Sequence, residues 1–134
     1  MYGFSINLDL PFEQVVGKVT EALKQEGFGM LSDIDVRATM KARLGVVVPP
    51  YRILGACNPQ LAHKAISAEP DIGLLLPCNV VVRENPTGNI TVAFMNPAEV
   101  LKLVDRQEVH ELGKEVLAHL QRVRDALQQQ KISV

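Results

Sequence analysis

Tryptophan is absent from this chain, and its remaining aromatics are two tyrosines and four phenylalanines. A core without large rings has to be filled by Val, Leu, Ile and Ala, and the scarcity of rings argues against a stacking platform for single-stranded nucleic acid. Charge of one sign is lacking too. Fourteen basic residues stand against fifteen acidic ones, a net charge of -1, so no basic field gathers phosphates and no nucleic-acid partner is expected. The most apolar run, Ile72 to Val82, is too short for a transmembrane helix and contains Pro77. The opening MYGFSINLDLP lacks the cationic start and apolar stretch of a signal peptide. A cytoplasmic protein without membrane contact is therefore expected, with its thiols reduced.

What is present suits one domain spanning residues 1–134. A chain of this size buries roughly two-thirds of its unfolded surface and needs neither disulfide nor metal to fold. Tyr2, Phe4, Ile6 and Leu8 alternate with polar or small residues, the period of a half-buried strand. Pro11 suits a first helical turn, Val15, Val16, Val19, Ala22 and Leu23 recur at helical spacing, and Gly27 supplies the stop. A second strand follows, with Phe28, Met30, Ile34 and Val36 on one face and Asp33 and Asp35 on the other. Ala38 to Leu44 reads as a short helical turn closed by Gly45, and Pro49-Pro50 precedes a third strand, Tyr51 to Cys57. Asn58 and Pro59 have the chemistry of a cap and first turn. The stretch from Ile72 to Arg83, interrupted at Pro77, reads as a fourth strand whose Leu74–Leu76 and Val80–Val82 runs suggest cover on both faces. Gly88 marks a hairpin into a fifth strand at Ile90 to Met95. Asn96-Pro97 opens helical sequence that, after a break near Asp105, continues as a last helix, about residues 106–129, with Val109, Leu112, Val116, Leu120, Val123 and Leu127 on one face. Gln128 to Lys131 is expected to fray. The expectation is an α+β domain: a mostly antiparallel sheet of four to five strands with helices on one side, in the order β-α-β-β-β-β-α.

The two cysteines, Cys57 and Cys78, are each followed by asparagine. Cys57 stands just before the cap Asn58, where a helix N-terminus stabilises a thiolate, and Lys41 offers further positive charge. Alternation argues the other way, placing Cys57 with Tyr51, Ile53 and Gly55 and Cys78 with Val80 and Val82, in apolar surroundings where a thiol is inert. The spacing is not Cys-x-x-Cys. His63 leans away from its helix's apolar stripe, and His110 and His119 point to opposite sides, so no metal site is expected. No phosphate loop, nucleophile elbow or His-Glu-x-x-His occurs, so neither a cofactor nor a catalytic residue is assigned. Asp33 and Asp35 project together from one strand as a solvated face, and Asp35 with Lys41 offers a weaker hydrolytic or lyase pairing. Arg52 and Arg83, opposite the cysteine faces of their strands, with Lys41 and Arg43 in the connecting turn, suit a solvated basic edge or a small-anion site.

Gly27-Phe28-Gly29 leading to Asp35, Ala38-Thr39-Met40-Lys41 running into Leu44-Gly45, Tyr51 through Pro59, Ala62, and Leu75-Leu76-Pro77-Cys78 with Val80–Val82 together resemble the domain of unknown function 302 family. The resemblance spans about residues 1–100 and extends to the final helix; its specific part is the Cys-Asn-Pro and Leu-Pro-Cys pair. Arg43 stands where the family often has lysine. The resemblance implies the TATA-box-binding-protein-like fold group, though the basic, aromatic-wedged sheet of minor-groove binders is missing. It lends no mechanism. It marks Asp35, Lys41, Cys57, Asn58, Pro59 and Cys78 as candidate positions, of which Asp35, Lys41, Cys57, Asn58 and Cys78 are taken as a ligand-binding set. The expected function is a non-enzymatic domain that binds a small ligand or partner and forms a homodimer, because the fourth strand and last helix are more apolar than one thin layer needs. The alternative is a thiol-dependent redox or metal-linked protein acting through Cys57 and Cys78.

Overall fold

The computed structural model describes residues 1–132. The elements run β1 (Gly3–Leu8), α1 (Phe12–Gln25), β2 (Gly29–Asp35), α2 (Val36–Leu44), β3 (Tyr51–Cys57), α3 (Pro59–Ala68), β4 (Cys78–Glu84), β5 (Ile90–Met95), α4 (Pro97–Val100) and α5 (Gln107–Ile132). The five strands form one sheet in the order β1-β5-β4-β3-β2. All four pairings are antiparallel. The fold is α+β, with the long helices α1 and α5 packed together against one face.

That face follows from period-two side chains. Leu54 and Ala56 of β3, Cys78, Val80 and Val82 of β4, and Ile90, Val92 and Phe94 of β5 are buried in one cluster. Opposite them lie Val15, Val16, Val19 and Leu23 of α1 and Val116, Leu120, Val123 and Leu127 of α5. Each such side chain withdrawn from water contributes about 1.5–3 kcal/mol. Phe4 stacks on Phe94 with ring centroids 5.1 Å apart, and the Arg124 guanidinium lies 5.4 Å above the Phe4 ring. Four residues, Ala65, Ile72, Leu101 and Val109, form a smaller cluster under α3 and the start of α5.

Local signals landed within a residue or two. Pro11 is the N-cap of α1 rather than a helical residue. Asn58 caps α3 by accepting from Leu61 N–H at 3.3 Å, with Pro59 in the first turn, and Asn96 caps α4 in the same way. Gly45 ends α2 at φ 67° and Gly88 turns the β4–β5 hairpin at φ 93°. The last helix runs on to Ile132, through the stretch expected to fray.

Three expectations are corrected. The simple alternation along the second strand fails because the register shifts between Met30 and Ser32. Leu31 is the extra residue of a bulge, and one extra residue inverts every face beyond it. Ile34 is thereby turned to the helix-free side, 47% exposed, while Asp33 and Asp35 oppose Leu54 and Arg52 on the helix side. The stretch from Ile72 is not strand until Cys78: Pro70–Leu75 is a 3-10 helix, and the Leu76–Pro77 peptide is cis. The Val80–Val82 run is covered on one face only, with Val80 and Val82 buried and Val81 partly exposed on the other.

Gly55 is fixed by close approach. A Cβ there would lie 2.2 Å from Ser32 Oγ and 2.8 Å from Pro77 Cγ. Gly17, within α1, has nothing within 4 Å of the same position. Gly55→Ala is expected to lower stability by about 1–3 kcal/mol through overpacking, and Gly17→Ala to raise it by about 0.5–1 kcal/mol through helix propensity. Urea unfolding of the two variants checks both signs.

Candidate functional site

The candidate residues separate into two groups at opposite ends of the sheet. Asp35 is the N-cap of α2, its Oδ1 accepting from Ala38 N–H at 2.9 Å. Lys41 is exposed in the last turn of that helix, six residues on and therefore about 240° round its axis. Asp35 pairs across the ladder with Arg52. Cys57 lies five residues further along β3, about 17 Å away at strand spacing. The five positions do not converge on one cavity.

Cys57, Asn58 and Cys78 do meet. Ala56 is the cross-strand partner of Cys78, so Cys57 and Cys78 are diagonal neighbours at the end of β3 and start of β4. With Phe28, Leu61 and Leu76 they line an apolar cavity of about 30 Å³, room for little more than a water molecule. Neither thiol is bridged; Cys78 is buried and Cys57 half-buried. Burial pushes the Cys78 thiol up to about 12, and the charge of Cys57 adds to the effect. Desolvation also raises Cys57. The helix cap beside Cys57 is real, but it does not yield a depressed thiol. Among the described residues no group of three or more His, Cys, Asp or Glu side chains is arranged to hold a metal ion.

The expected basic edge is divided between two faces. Arg52 lies on the helix side, where its Nε donates to Asp33 Oδ1 at 2.8 Å, a second nitrogen pairs with the other Asp33 oxygen, and Glu13 of α1 lies 3.5 Å away. The hydrogen bond and charge of Arg52 hold Asp33 below its ordinary value of 3.8. Arg83 sits on the opposite face and donates to Asn85 Oδ1 at 2.5 Å. A second polar cluster joins elements far apart in sequence. Glu26, just past α1, receives Arg122 Nε at 2.9 Å, and its same oxygen is 3.0 Å from His119 Nδ1. His119 and then Arg122 lower the Glu26 pKa against the opposing effect of burial. Nothing in the sequence signals this clasp, because its members lie 93 and 96 positions apart.

The most extensive unclaimed surface is the face of the sheet opposite α1 and α5, termed helix-free although the short α2 lies over one corner of it. Ile53, Val81, Ala93 and Met95 stand there partly exposed beside Ile34. Ser5 and Asn79 edge it at one end, Asn7 and Arg83 at the other. Thr91, the one polar residue among the buried side chains of the described residues, is satisfied at that second end by donating to Asn7 Oδ1 at 2.7 Å and accepting from Asn85 Nδ2 at 2.8 Å. At the β1–β5–β4 corner a groove of about 570 Å³ opens between Tyr2, Val81, Ala93 and Met95. Alternation alone supplied a signal for this face, in the apolar character of both sides of β4.

Fold and surface together define a small α+β domain with a partly exposed apolar sheet face that carries a polar rim. The chain belongs to the domain of unknown function DUF302 family, whose profile matches residues 4–127 and so includes most of the last helix. It is similar to the crystal structure of an uncharacterised conserved DUF302 protein from Bacillus stearothermophilus, with a TM-score of 0.85 and 25% identity over 93% of this chain and 97% of that one. No curated protein matches it. Among the described residues no helix is long and apolar enough to cross a membrane.

Two outcomes follow from the site's chemistry. At neutral pH Cys57 is expected to alkylate more slowly than a free cysteine, and Cys78 only through unfolding; mass spectrometry of labelled peptides with and without urea separates them. The folded pKa values of Glu26 and Asp33 are lowered, so their stabilisation is complete above the ordinary values of 4.5 and 3.8 and is lost as pH falls through the folded values. Melting temperature between pH 7 and 3 is therefore expected to fall less steeply in the Glu26→Gln, Asp33→Asn double variant than in the parent.

Proposed function

We propose that this chain is a non-enzymatic binding domain that self-associates through the helix-free face of its sheet. The observation that carries the reading is the apolar character of that face, with Ile34 47% exposed and Tyr2 83% exposed at its edges. A contiguous apolar patch with a polar rim marks an interaction surface, and the face is broad and shallow. Sites for small molecules, by contrast, enclose most of the ligand's surface, so a protein partner fits better here than a small ligand, and the partner available to every copy is another copy. The unbridged cysteines suit a reducing compartment such as the cytoplasm.

The thiol-dependent alternative draws less support. Both sulfurs are desolvated, with their pKa values raised, whereas a nucleophilic or redox thiol needs the opposite shift. Asp35 and Lys41, the charge partners such chemistry would recruit, lie at the far end of the sheet.

Light scattering of eluted protein across a hundredfold concentration range is expected to show a dimer at the upper end. Val81→Asp, which leaves the helix-side core untouched, should weaken association by roughly a hundredfold or more, the cost of burying an unpaired charge. A monomer throughout the range, with the native circular dichroism spectrum, contradicts the reading.

A further inference from the structure

The segment between β2 and β3 does not belong to the core. Helix α2 has no buried residue, and nine residues of isolated helix are marginal in water. The following residues, 45–50, have no regular structure. Leu44, Val46 and Val47 are 69%, 47% and 68% exposed at the tip of this arm. On its inner side Val36, Met40 and Val48 line a cleft of about 250 Å³ against Tyr51 and Arg83. The arm is thus anchored over one corner of the helix-free face while its most apolar residues point away from the protomer.

Its place in the ladder is informative. Asn7, Thr91, Arg83 and Tyr51 are successive cross-strand partners, so the arm springs from the β2–β3 corner at that end. The groove beside Tyr2, Asn79, Val81 and Met95 occupies the β1–β5–β4 corner at the other end. Arm and groove are diagonally opposed on one face. We infer that two copies pack these faces together with each arm tip, Leu44 to Val47, seated in the other's groove. A two-fold axis lying in the interface, perpendicular to that diagonal, exchanges the two corners and so satisfies both arm–groove contacts at once. The result is a closed, isologous dimer.

The dimensions suit this. Five strands of about six residues present a face of roughly 20 by 20 Å, so the axis sets the two sheets near right angles, one of the two standard ways in which sheets stack. Adding two arms to about 400 Å² of sheet brings each copy towards the ~800 Å² that a stable interface buries per partner. The arm tip and most of the groove are apolar where they would meet, with Ser5 and Asn79 as the groove's polar rim. Arg43 and Lys41 lie at the arm's shoulder, where they remain in solvent.

This inference rests on self-association through the open face, and the experiment separates the two. Val47→Cys and Asn79→Cys, both at exposed positions, are placed in separate chains carrying Cys57→Ser and mixed under mild oxidation. Mixed Val47→Cys/Asn79→Cys disulfide dimers are expected at least tenfold over either cross-linked homodimer, because the two arms sit roughly 28 Å apart at opposite corners. In addition, Val47→Asp with Leu44→Glu should raise the dimer dissociation constant at least tenfold with an unchanged circular dichroism spectrum. If Val81→Asp dissociates the dimer but no 47–79 cross-link forms, arm exchange is wrong and the open-face reading stands. If the parent chain is monomeric at every concentration, both fall together.

Discussion

A five-stranded sheet has two faces, and this chain supplies long helices for one. The packing of α1 and α5 on the inner row of β3, β4 and β5 is the interaction on which the rest depends. It fixes which residues of each strand are inside, and by the two-residue period of a strand it equally fixes which are left outside. At the centre of that face the outer residues are not the polar set that a solvated antiparallel face normally carries. Ile53, Val81, Ala93 and Met95 are apolar on a side that neither α1 nor α5 covers. That mismatch between composition and cover is the central fact of the surface.

The polar chemistry, by comparison, is largely structural. Asp35 and Asn58 are helix caps, Arg52 is tied to Asp33 and Glu13, and Glu26 clasps His119 and Arg122 so that the end of α1 is held to α5. The cysteines line a near-filled apolar cavity, and desolvation raises both thiols. The repeated Cys-Asn is one motif to the eye and two situations in the fold: Asn58 starts a helix, whereas Asn79 is an exposed residue inside β4. Two positions that match in sequence therefore have no shared chemistry.

Much of the architecture was legible because its signals are local. The α1 stripe, the α5 stripe, the Asn-Pro helix starts at Asn58 and Asn96 and the Gly88 hairpin each depend on neighbours a few residues away, and each stands as read. The second strand was misread for a physical reason: a bulge adds one residue without altering composition, and parity is lost from that point on. Leu74–Leu76 was misread because a short apolar run has no period with which to tell a strand from a 3-10 turn.

Composition and periodicity by themselves determined an α+β chain with no basic field, no cofactor motif and more apolar surface than one layer of helices covers. Tertiary structure alone decided that Asp35 and Lys41 lie far from Cys57, that Arg52 and Arg83 point to opposite faces, and that an exposed arm and a groove share a diagonal. Those relations span tens of residues and arise from strand order and register, which side-chain alternation within a single strand does not encode.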